Sequence, residues 1–160
     1  MNSGATGSDS GLQTVYFSSD GGIVVGGYIN ANEPYIAKVD ATDAAGSVAP
    51  TSFVWEHTVT DAAYEGITKS MRLDSSDNIY AIIGSEPTII KLAGSDGTVA
   101  WTSPTIGTTE DIIDIELITS TGGLIVVGNY QNKGAMIELD STGTLVWGPT
   151  LYGNYPGGVN

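Results

Sequence analysis

Gly97-Thr98-Val99-Ala100-Trp101 returns 46 residues later as Gly143-Thr144-Leu145-Val146-Trp147, and 46 residues earlier Ser52-Phe53-Val54-Trp55 ends on a tryptophan as well. A spacing kept to the residue twice over makes this chain a threefold internal repeat. Each tryptophan closes a unit of four runs. The first run is Val15-Tyr16-Phe17, Met71-Arg72-Leu73 or Glu116-Leu117-Ile118, followed by a polar turn: Ser18 to Gly21, Asp74 to Asp77, Thr119 to Gly122. A hydrophobic run ending in glycine comes next: Ile23-Val24-Val25-Gly26, Ile79 to Gly84, Leu124-Ile125-Val126-Val127-Gly128. Third runs are Tyr35 to Val39, Thr88 to Leu92 and Ala135 to Leu139, and the tryptophan runs are fourth.

Short β-branched runs bounded by Gly, Asp, Asn and Ser read as strands joined by tight turns, since those turn residues accept positive φ or bond their own backbone. The second run of each copy lacks the apolar/polar alternation of a sheet with one wet face, so cover on both faces is expected. The reading is all-β: three four-stranded antiparallel sheets of β-propeller-blade type with a repeat of about 46 residues. Residues 1–11 read as an N-terminal segment, 12–150 as the three-blade domain with blades at about 12–60, 61–106 and 107–150, and 151–160 as a C-terminal tail.

The units with their Lys-Val-Asp or Glu-Leu-Asp and Gly-Thr-apolar-apolar-Trp phrases resemble the quinoprotein-like β-propeller repeats of secreted and cell-surface proteins, over roughly residues 12 to 150. The first copy departs from the pattern by the extra residues Ala41 to Thr51 before its fourth run. Quinoprotein dehydrogenases with such blades carry a vicinal cysteine pair, a calcium-binding acid and a catalytic aspartate inside a closed ring. This chain has no cysteine and too few blades, so the resemblance implies a fold and neither cofactor nor metal.

Composition narrows the setting. Five basic residues against eighteen acidic give a net charge of −13, which disfavours nucleic acid and anionic membranes, because both require clustered Lys and Arg. No run is long enough for a membrane-spanning helix, and Met1 to Ser8 is polar, unlike a signal peptide. The acidic, lysine-poor, Gly/Ser/Thr-rich composition points to an extracellular or cell-surface protein whose export signal is not in this sequence.

No residue pattern forms a recognisable catalytic site, and a non-enzymatic role is expected. His57 is the single histidine. As a general base it would need orienting by Glu56, Asp61 or Glu65, and Glu56, its strand neighbour, is expected to point the other way. Asp114 and Glu116 within Glu110 to Glu116 would share a strand face and could hold Ca²⁺ or act as acid and base, but calcium requires about six to eight oxygens. The turns Asp74 to Asn78 and Asp140 to Gly143 lack the alternation of a calcium loop, and turn chemistry accounts for them. The best binding candidates are Tyr28, Tyr35, Tyr130, Tyr152 and Tyr155, which lie near asparagines at strand ends in a mixture suited to sugar rings.

Repeat number carries the functional expectation. Propellers close with about four to eight blades, and three leave the outer faces of the first and third bare. Another copy, in a ring or a filament, or the remaining blades of a longer chain would cover them. The expectation is a self-associating structural or adhesive protein, with a carbohydrate-binding propeller module as the alternative.

Overall fold

The computed structural model describes residues 10–30, 33–40, 52–60, 70–84, 88–103, 111–131 and 133–153. The described residues form twelve strands in three four-stranded antiparallel sheets, each a meander in chain order. The first sheet comprises β1 (Gly11–Phe17), β2 (Ile23–Ile29), β3 (Glu33–Val39) and β4 (Phe53–Thr58). The second comprises β5 (Ser70–Leu73), β6 (Ile79–Ile83), β7 (Thr88–Leu92) and β8 (Val99–Thr102). The third comprises β9 (Asp111–Ile118), β10 (Gly123–Tyr130), β11 (Lys133–Leu139) and β12 (Leu145–Tyr152). The third sheet thus runs to Tyr152, into the segment expected as tail, and the acidic stretch from Asp111 to Glu116 forms most of β9.

The turns follow from their residues. Gly21, Asp77 and Gly122 hold φ of 87°, 60° and 71° between the first and second strands of the three sheets. Asp74 accepts the backbone N–H of both Ser76 and Asn78, and Asp140 those of Thr142 and Thr144. These carboxylates satisfy the donors of their own turns, which is why they stand where calcium loops have acids.

Among the described residues no strand of one sheet pairs with a strand of another; two hydrophobic cores join them. Val24, Ile36 and Trp55 of the first sheet pack with Met71, Ile79, Ala81, Ile83, Ile90 and Leu92 of the second. On the other side Tyr80, Ile82 and Ile89 pack with Ile112, Ile115, Leu124, Val126, Ile137 and Leu139 of the third. Successive side chains of β6 therefore enter different cores, and all five of its residues are buried. This is the two-sided cover expected of a continuous apolar run.

The expectation holds for the middle sheet only. In β10, Leu124 and Val126 face the second sheet while Ile125 and Val127 are half-buried on the far side; in β2, Val24 is buried between half-buried Ile23 and Val25. Each terminal sheet has a neighbour on one face, so its apolar run is covered on that face.

Candidate functional site: two open faces

All three tryptophans occupy the fourth strand and pair across it with the same position of the third, Trp55 with Lys38, Trp101 with Lys91 and Trp147 with Glu138. The indole of Trp55 crosses to the second sheet, where its Nε1 donates to the Gly94 carbonyl at 3.1 Å. It lies so close over the β7–β8 turn that a Cβ on Gly97, which has φ 70°, would sit 2.5 Å from its Cε3. Trp101 repeats this on the third sheet, donating to the Ser141 carbonyl at 3.0 Å and lying 2.7 Å from where a Cβ of Gly143 would be. Glycine is required at both turns for the left-handed backbone and for the ring above it. Among the described residues Trp147 has no such turn to cross to. It is 36% exposed against 7% for Trp55, and its N–H donates to the carboxylate of Glu138 in its own sheet.

Strand register defines the row that each sheet presents with its tryptophan: Tyr16–Val24–Lys38–Trp55, Arg72–Tyr80–Lys91–Trp101 and Glu116–Ile125–Glu138–Trp147. The first two rows bury or half-bury a cation and neutralise it locally. Lys38 meets Asp20 at 2.6 Å, and this bond, with help from Ser18 and the Gly22 amide, holds the Asp20 carboxyl far below its usual range. Lys91 lies 4.7 Å over the Tyr80 ring and 3.9 Å from Asp74, and Tyr80 meets Trp101 edge-on at 5.9 Å. The third row carries a carboxylate where the others carry lysine.

The opposite face of each sheet also has a shared row: Leu73–Ile79–Leu92–Val99 in the second, Leu117–Leu124–Leu139–Leu145 in the third and Phe17–Ile23–Val39–Phe53 in the first. In the second and third sheets the middle of this row, Ile79 with Leu92 and Leu124 with Leu139, is buried under the preceding tryptophan face, while Val99 and Leu145 at its outer end stay 47% and 49% exposed. In the first it faces outward, with Phe17 77% and Phe53 53% exposed, beside Val15 at 59%. The molecule therefore ends in two unlike halves of its own internal junction: an apolar face on the first sheet and a tryptophan face on the third.

Arg72 ties the innermost strands together. Its guanidinium donates to the Tyr16 hydroxyl at 2.7 Å, to Asp114 at 2.9 Å and to Glu116 at 3.0 Å. Burial opposes the charge of Asp114, but the Ser70 hydroxyl, the Ile115 amide and Arg72 outweigh it and lower its pKa. The candidate acid pair is thus the acceptor of an ion-pair cluster linking three sheets. Among the described residues no group of three or more His, Asp or Glu side chains could hold a metal.

Glu56 accepts a hydrogen bond from Tyr35, and burial with that bond raises the tyrosine's pKa. His57 lies in register with Ile36, which enters the core with the second sheet, so it faces away from Glu56; burial lowers its pKa. Asp61 and Glu65 lie outside the described residues, as do Glu110 and Tyr155. The tyrosines are not brought together. Tyr28, whose ring lies over Gly11, and Tyr35 alternate to opposite faces of the first sheet, while Tyr130 and Tyr152 belong to the third. No protein-family model matches this chain, and no curated protein matches it.

Arg72 and Glu138 are the functional candidates that motif reading misses. The available signal for Glu138 was its alignment with Lys38 and Lys91 in the third run of each copy, Glu138 standing two residues before Asp140 as Lys38 stands two before Asp40. Arg72 gave none, because its acidic partners are 42 and 44 residues away.

Proposed function

We propose that this chain is a non-enzymatic structural or adhesive unit, of the quinoprotein-like propeller-repeat type, that self-associates into a ring or filament through its open faces. Its composition suits an extracellular or cell-surface setting. The observation that supports this best is the outward row of the first sheet, where Phe17 is 77% exposed and Ile23 half-buried, whereas the equivalent Ile79 and Leu124 are buried in the internal junctions. Completing the burial of Leu12, Val15 and Phe17, each more than half exposed, is worth roughly 1 kcal/mol or more apiece. Association costs about 4 kcal/mol at the least, which these side chains alone only offset, so the net affinity depends on what the partner face buries as well. The charge of −13 on each copy opposes assembly and makes it favour moderate salt. The carbohydrate-binding alternative draws no support from the placement of Tyr28, Tyr35, Tyr130 and Tyr152 on separate surfaces.

Light scattering on the wild type and on Phe17→Asp tests the reading. Loss of assembly in the variant with unchanged circular dichroism is expected, since Phe17 contributes little to either core. Equal masses for the two proteins would overturn it.

A further inference from the structure

The two internal junctions are built alike, whereas the two open faces depart from the repeat in matching ways. In each internal junction the indole N–H leaves its sheet for a carbonyl of the next sheet's third turn, Gly94 for Trp55 and Ser141 for Trp101. On the third sheet Glu138 replaces the lysine of the row and takes the N–H of Trp147 within the sheet. At the other end of the molecule, the first copy does not carry the short Gly-Thr phrase that precedes Trp101 and Trp147. One end retains its own indole donor, and the other lacks the turn sequence that accepts such a donor elsewhere. An unpaired indole N–H buried at a junction would cost about 1–3 kcal/mol; the bond to Glu138 means that the Trp147 face can be covered by a surface without such an acceptor.

On the premise of self-association made above, we infer that copies join head to tail, with the Trp147 face of one copy laid on the row Phe17–Ile23–Val39–Phe53 of the next. The equivalent row of the second sheet, Leu73–Ile79–Leu92–Val99, already lies under the first sheet's tryptophan face, with Ile79 and Leu92 in one core with Trp55. The partner's contribution from the third sheet is Trp147, Ile125, Val127 and Met136, the last three half-buried at the far side from the second sheet, with the row's two carboxylates engaged within the chain, Glu138 by Trp147 and Glu116 by Arg72. A junction between two copies would thus repeat the one already made twice within each, and it is heterologous. Pairing of two first sheets would instead bring together identical apolar faces and leave Trp147 uncovered.

Two single-face variants decide the order. Phe17→Asp spoils the first-sheet face and Trp147→Arg the third-sheet face; both sites are exposed, and circular dichroism would confirm that each variant folds. In native mass spectrometry each variant alone is expected to be a monomer, and an equimolar mixture to yield a heterodimer held by the intact face of each. Trp147→Arg that still forms homodimers, with no heterodimer on mixing, would overturn the head-to-tail order while leaving self-association standing. A wild type that is monomeric throughout would overturn the association itself, and this inference with it.

Discussion

The second and third sheets contain hydrophobic runs of the same kind, Ile79-Tyr80-Ala81-Ile82-Ile83 and Leu124-Ile125-Val126-Val127, yet all five residues of the first are buried while the second alternates. The difference comes from neighbours. The middle sheet sits between two others and sends successive side chains into different cores; the third has a companion on one side. In a stacked repeat the local sequence sets what a face can bury, and position in the stack sets what it does bury.

The largest effect should come from truncating the middle strand. Ile82→Ala is expected to cost about 2–5 kcal/mol, as large-to-small changes at fully buried sites do, and Val127→Ala below about 1 kcal/mol in the unassembled chain. Urea denaturation at low protein concentration would measure both. Similar losses would mean that the outer face of the third sheet is covered within the chain.

Glycines sharpen the same contrast. Gly97 and Gly21 both have positive φ, but Gly97 lies under Trp55 and Gly21 has nothing within 4 Å of a would-be Cβ. An alanine at either costs about 1–2 kcal/mol for the left-handed backbone. Gly97→Ala should add about 1–3 kcal/mol for displacing the indole, seen as a lower midpoint and a red-shifted Trp55 emission. Equal costs at the two sites would contradict the tryptophan junction.

A smaller loss is expected at the pin between the innermost strands. Arg72→Met should cost about 1 kcal/mol, because its acidic partners are substantially exposed and solvent screens them. The sign with pH follows from Asp114. Its folded pKa is lowered, so the contribution is present above the ordinary aspartate value of about 3.9 and is lost as pH falls through the lower folded value. Wild type and variant should therefore differ at neutral pH and converge in acid; a gap that persists in acid would show that Arg72 acts by packing instead.

Much of this fold was legible in the sequence because the repeat is exact where it matters structurally: three tryptophans at one spacing, glycine before two of them, and β-branched runs between Asp, Ser and Gly turns. Those features act locally, on strand, turn and register. The two-sided cover expected of all three second strands was not legible, since Leu124 to Val127 reads like Ile79 to Ile83 and only the count of neighbours separates them. Asp114 and Glu116 were visible as a pair, but Arg72, which engages them, lies in another repeat. The tyrosines clustered near strand ends in sequence, and alternation sent Tyr28 and Tyr35 to opposite faces. Glu138 stood in place of lysine in the alignment, although its bond to Trp147 appears only once the end of the stack is known.

Sedimentation velocity of the wild-type chain across the micromolar range tests the central claim most directly, that the first sheet ends in an unfilled half of the internal junction. A weight-average mass that rises with concentration to a multiple of the single chain, more readily at moderate salt than at low salt, is expected. A well-folded species holding the mass of one chain at every concentration and salt would contradict it.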